Sequence, residues 1–291
     1  MTSYLIGQEL GEDLYRLNAE LRTATVAEFE AEDGREIAGY SPWLSVFPIL
    51  KDGRLPDELL QEPTQERGGL VTKVAYLAAA NRFMGPRSYL TKNGIYDQKH
   101  TDWIPALSVS KDQKAVFDAG RRLLLSSNAM FARMYLEMVN FVLPLPGERN
   151  RGFTTHAARG IIYRSIPSNC DKYDVAIDLA HELGHHALMV WQSVDPIIVS
   201  DHHQPIYSQI RRTLRPAIQT FHAAVALGFM HHFVETMQQD ADCAAAGIRR
   251  GLNYTETLKK SLLLSINSLR EVCQFSNLGN AMLSELQALA T

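Results

Sequence analysis

The segment His181-Glu182-Leu183-Gly184-His185-His186 places two imidazoles four residues apart with a carboxylate beside the first. On a helix turning 100° per residue, positions i and i+4 lie about 40° apart on one face, so both rings can reach a single divalent ion at about 2 Å. Glu182 stands one step further round, placed to meet a metal-bound water or a substrate without being a ligand itself. A bare H-E-x-x-H pattern also arises in proteins that bind nothing there, and the plain alternative is a core helix whose histidines are bonded to backbone. The surrounding elements therefore have to carry weight.

Those elements favour a positioned helix. Ser168 to Asp171 supplies capping residues, Asp171 and Asp174 stand in a capping-box relation, and Val175, Ile177, Leu179, Ala180, Leu183 and Leu188 form an apolar stripe. A helix over about Lys172 to Trp191 is expected, closing before Asp195-Pro196. Two imidazoles alone hold an ion weakly, so a third ligand is needed, with the remaining positions open for chemistry. His222, Glu235, His231, His202, His203, His156 and Asp195 are the candidates. His222 lies in Phe221-His222-Ala223-Ala224-Val225-Ala226-Leu227, where an isolated imidazole must find a partner and where small neighbours let another helix approach. We place it ahead of a satisfied core histidine. Glu235, 13 residues on and about 140° round the same expected helix, is the ligand a gluzincin-type zinc peptidase would use, and it sits in a polar stretch that reads as a solvated helix end.

Ahead of His222 run Tyr207, Arg211, Arg212 and Arg215, followed by Pro216. Guanidinium pairs with carboxylate in bidentate geometry, so the cluster suits a small dicarboxylate or the carboxylates of a peptide; a solvated, salt-bridged face is the alternative for at least one of the three. If this stretch is helical, Arg211 and Arg215 are i, i+4 neighbours and turn inward together.

In the order H-E-x-x-H, Asp195-Pro196, Tyr207 with its arginines, Arg215-Pro216 and Phe221-His222-Ala223, the chain resembles the HExxH-motif peptide-modification family found with ribosomally made peptide natural products. The resemblance covers roughly Thr154 to Phe233. It implies an iron(II)- and 2-oxoglutarate-dependent peptide β-hydroxylase with His181, His185 and His222 as iron ligands. It further implies Glu182 beside the metal, Arg215 or Arg211, with Tyr207, at the 2-oxoglutarate, and a ribosomally made precursor peptide as substrate. The runner-up is a zinc metallopeptidase in which His181, His185 and Glu235 bind zinc and Glu182 is general base. A noncatalytic, metal-stabilised helical binding protein is a third class.

Composition sets the outer bounds. With 291 residues, 46% hydrophobic and 21% charged, the chain can bury a sizeable core. A net charge of −3 offers no sign of nucleic acid or an anionic membrane as partner. Met1 to Gly7 lacks a secretory pattern, the longest apolar stretches fall short of a membrane span, and Cys170, Cys243 and Cys273 form no C-x-x-C pair, so a cytoplasmic enzyme is expected.

Helical periodicity dominates, over about Gly7–Glu30, Leu70–Phe83, Asp112–Val142, Lys172–Trp191, Tyr207–Arg250, Glu256–Gln274 and Ala281–Leu289. Strand candidates lie around Trp43–Ile49 and Gly160–Ile166, the latter read either as an edge strand to which a peptide could add or as a strand whose Ile161 and Ile162 line the core. The expected fold class is mainly α with a small β-sheet (α+β). A turn-rich loop near Gly147–Gly152 suggests a helical N-terminal region, 1–146, with Trp43, Tyr96 and Trp103 as groove candidates, and a metal-bearing region, 147–291.

Overall fold

The computed structural model describes residues 5, 12–33, 68–70, 109–145, 152–154, 159–208, 211–238 and 254–291. The expected strand around Trp43–Ile49, most of the Leu70–Phe83 helix, His156 and the groove candidates lie outside them. The described chain is mainly helical with two small sheets. In order it runs α1 (Glu12–Asp33), β1 (Gly69–Leu70), α2 (Lys111–Ser127), α3 (Ala129–Met138), β2 (Phe141–Leu145), β3 (Gly152–Phe153), β4 (Ile161–Ser165) and α4 (Lys172–Trp191). There follow β5 (Pro205–Ser208), β6 (Thr213–Pro216), α5 (Ala217–Gln238), α6 (Tyr254–Val272) and α7 (Asn277–Leu289). No helix among the described residues is long and apolar enough to cross a membrane.

The chain divides into two compact units that interleave in sequence. One comprises the described residues of Met1–Leu17, Arg122–Met134 and Ala176–Thr291; the other, those of Asn18–Arg121 and Tyr135–Val175. The 146/147 boundary expected from the loop falls inside the second unit.

The second unit is built on a four-stranded sheet in the order β1-β2-β4-β3, with β1, β2 and β4 parallel and β3 antiparallel to β4. Phe141 to Leu145 pair in register with Ile161 to Ser165. Here the structure corrects the helix expected to continue through Val142. Asn128 ends α2 and its side chain caps the next helix by accepting from the Met130 amide at 2.7 Å. Pro144 could not extend α3 either, because its ring would clash with the carbonyl four residues back and it offers no N–H. Once extended, the apolar run finds its ladder partner in the isoleucine-rich β4. That strand is internal and fully buried, flanked by β2 and β3, so the reading of it as an edge open to a peptide is wrong; Ile161 and Ile162 line the core. Parallel pairing of strands far apart in sequence is what draws separate segments into one unit.

In the first unit α5 is apolar almost all round, with Phe221, Ala224, Val225, Ala226, Phe229 and Phe233 buried. The helix expected over Tyr207–Arg250 is corrected: β5 and β6 pair antiparallel as a hairpin and α5 begins at Ala217. Pro216 supplies the reason, since a helix running through it would lose an internal hydrogen bond and clash at Arg212. Arg212 instead takes φ 53° in the turn, donating its amide to the Ser208 carbonyl at 2.7 Å. The expected i, i+4 pairing of Arg211 with Arg215 goes with that helix. Elsewhere the last two helices start slightly earlier than expected, α7 behind a Ser276 cap that accepts from the Gly279 amide at 3.0 Å.

Candidate metal centre

The helix carrying the histidine pair is set locally. Asp171 accepts from the amides of Tyr173 (2.8 Å) and Asp174 (2.9 Å), and Asp174 reaches back to the Asp171 amide at 3.0 Å, a reciprocal capping box. Twenty residues follow without interruption to Trp191, carrying His181 and His185 on one face. Gly184 sits between them at the point where α4 meets α5. A Cβ there would stand 3.1 Å from the Phe229 ring and 3.2 Å from the Ala226 Cα, so the missing side chain is what lets the two helices approach.

That approach brings three imidazoles together. His181 Nε2 lies 3.1 Å from His185 Nε2, and His185 Nδ1 lies 3.3 Å from His222 Nδ1. The outer nitrogens are also engaged: His181 Nδ1 is 3.2 Å from the Met230 sulfur, and His222 Nε2 is 3.0 Å from the Gln192 carboxamide oxygen. Thioether sulfur and amide oxygen are acceptors only, so each outer contact requires the N–H of its imidazole. His181 and His222 then both turn a lone pair toward His185, which in its neutral form carries one proton for two contacts. One N···N contact is left a cation short. Imidazolium would fill it, but burial first, then the charges of His181, His222, His186 and Arg215, push the His185 pKa well below 6.5. His185 as a residue is half-buried.

A divalent ion would satisfy the same contact. Two nitrogens each about 2.1 Å from one ion stand about 3.0 Å apart at a right angle and about 3.4 Å apart at a tetrahedral one, and the His181–His185 spacing of 3.1 Å falls in that range. His222 meets the pair from the other edge of the His185 ring, and among the described residues no three His, Cys, Asp or Glu side chains enclose a common point. The donor set therefore fits a divalent ion in composition and in the spacing of its first pair, with His222 the nearest further imidazole.

The other candidates separate. Glu235 is about half exposed, its Oε2 3.4 Å from Nδ1 of His231, which is itself 1% exposed. Burial lowers the His231 pKa, opposed by Glu235 and Glu256 and assisted by Lys259. Asp195 accepts from the Ile197 amide and the Ser276 hydroxyl, both at 2.6 Å, and so anchors the chain to the start of α7. His202 and His203 are exposed in a turn. Glu182 is buried, 3% exposed, on the flank of α4 and off the His181–His185 face.

Around the arginines, register decides orientation. Directly opposed residues of an antiparallel pair share a face, so Ile206 and Arg215 lie on one side of the hairpin and Tyr207 and Leu214 on the other. Ile206 is buried and Arg215 half-buried, whereas Tyr207 is 47% exposed. Only Arg215 among the three arginines bears on the His185 charge. Its own pKa is lowered by burial and by Arg211, and it remains a cation near neutrality. Arg211 is exposed at the hairpin turn. Sequence reasoning missed Gln192, although a signal exists: it lies about 20° from each of His181 and His185 on the helical wheel, two turns beyond the second.

No protein-family model matches this chain, and no curated protein matches it.

Proposed function

We propose that this chain is an iron(II)- and 2-oxoglutarate-dependent oxygenase that hydroxylates an amino-acid side chain, at Cβ, within a peptide. The observation that carries the reading is that His222, and not Glu235, is in contact with His185 of the His181–His185 pair. His181, His185 and His222 would hold the metal through nitrogen alone, leaving positions free for a chelating keto acid and for dioxygen. When bound, iron(II) with those two supplies the oxidising power to convert C–H to C–OH, the keto acid leaving as succinate and carbon dioxide.

The chain's own groups do the rest. Arg215, half-buried and on the inward face of its strand, pairs with the distal carboxylate of 2-oxoglutarate; Arg211 strengthens the positive field from the turn. Tyr207, on the other side of the hairpin, is better placed to meet a peptide than the keto acid. Glu182 is buried on the flank of the same helix, from where its carboxylate would orient a neighbouring group. A ribosomally made precursor as substrate rests on the family resemblance alone.

The test compares ligand sets. Protein purified without oxygen is expected to bind one iron(II) and, once dioxygen is admitted, to form succinate from 2-oxoglutarate. His222→Ala is expected to abolish metal binding, with Glu235→Ala close to wild type. The reverse pattern, or metal-dependent peptide cleavage indifferent to 2-oxoglutarate, would replace this reading with a gluzincin-type zinc peptidase.

A further inference from the structure

We infer that Gln192 is a positioning residue for the metal centre: its carboxamide oxygen fixes His222 as the Nε2–H tautomer and so turns the Nδ1 lone pair toward His185 Nδ1. The inference rests on the metal-centre reading above and extends it to a residue outside the ligand set.

The geometry is specific. Gln192 follows the last residue of α4, its amide still bonded to the Leu188 carbonyl at 2.9 Å, so the helical register persists and aims its side chain along the His181–His185 face. From there Oε1 lies 3.0 Å from His222 Nε2, on the side of the ring away from His185. An oxygen accepts and does not donate, so Nε2 must carry the proton and Nδ1 the lone pair. Met230 does the same for His181 from the other end: its sulfur takes Nδ1, leaving Nε2 to face His185. Two outer rings, on different helices, thus have their far nitrogens held by acceptors and their near nitrogens turned inward. In both rings the far nitrogen donates to an acceptor, the arrangement that fixes tautomer and ring orientation in histidines at a metal.

The experiment has two readouts that need no turnover. In metal-free protein labelled with 15N-histidine, at a pH where the imidazoles are neutral, two-bond proton–nitrogen correlations report the tautomer of His222. Wild type and Gln192→Glu are expected to show the Nε2–H form, and Gln192→Leu to lose it. The Nδ1–H form in wild type, meaning the carboxamide is turned to donate, would overturn the inference without any variant having to fold. Zinc(II) affinity, measured by competition with a chromophoric chelator, is expected to weaken about 10- to 100-fold in Gln192→Leu and to be retained in Gln192→Glu. His181→Ala serves as the separating control. If it leaves zinc affinity unchanged, the metal-centre reading itself fails; if it abolishes binding while Gln192→Leu binds like wild type, only the role of Gln192 falls.

Discussion

Replacing Gly184 with alanine sets two opposing terms against each other at the crossing of α4 and α5. In isolation the change should favour the helix, by about 1 kcal/mol, because glycine is the costlier residue in a helix interior. The new methyl, however, would stand 3.1 Å from Phe229 Cγ and Cδ2 and 3.2 Å from Ala226 Cα. Carbon atoms rest at about 3.5–4.0 Å, so the shortfall is a few tenths of an ångström on both contacts. The ring cannot readily swing aside, since Phe229 is fully buried and packs edge-on against Phe131 with centroids 6.2 Å apart. The Ala226 atom is backbone, and moves only with α5. Overpacking of this kind costs about 1–3 kcal/mol, so the clash outweighs the propensity gain and the net effect is destabilising by about 1 kcal/mol. For a chain of this size that lowers Tm by about 2–4 °C. Relief requires the helices to part, which also widens the His185–His222 contact, and zinc(II) affinity is expected to fall several-fold. Thermal unfolding of metal-free protein followed by circular dichroism, together with chelator competition, reads both quantities. A Tm raised by the helix-propensity term with metal affinity intact would refute the close approach and the account of the site built on it.

Arg215→Ala is expected to raise the 2-oxoglutarate concentration needed for half-maximal succinate formation by about 10-fold or more, the worth of a charge-assisted hydrogen bond, while iron occupancy is unchanged; Arg211→Ala should act weakly, and an equal loss of iron in Arg215→Ala would place that residue elsewhere. Stability of the metal-free protein should depend on pH through His185, His231 and His232, each held below the ordinary 6.5 chiefly by burial. A depressed histidine pKa means the unfolded chain takes up the proton first, so the urea midpoint should be flat above about pH 7 and fall as pH drops through 6.5 toward the folded values. A midpoint that rises on acidification from pH 7 to 5 would contradict those directions.

The helix of the histidine pair was open to inspection in the sequence because everything that makes it is local. Asp171 and Asp174 lie three residues apart, the apolar stripe repeats at the helical period, and His181 and His185 share a face by spacing alone. The lone imidazole at 222, set among alanines, was legible as a group in need of a partner. What periodicity misread were the two segments whose conformation depends on a distant strand or a single proline. Phe141 and Val142 passed for the end of a helix until β4 offered them a ladder, and Tyr207–Arg215 passed for the first turns of α5 until Pro216 broke them off into a hairpin. That hairpin reassigned the arginines, since strand register sends Arg215 and Tyr207 to opposite faces where a helix would have turned Arg211 and Arg215 inward together. The sequence by itself therefore determined the two-histidine face, its cap and the small residues around His222 that let another helix approach. Tertiary structure alone decided which distant imidazole meets that face and which side-chain acceptors, Gln192 and Met230, take up its outer protons. Capping and periodicity act within a few residues, whereas the sharing of protons among rings on two helices is settled only when those helices touch.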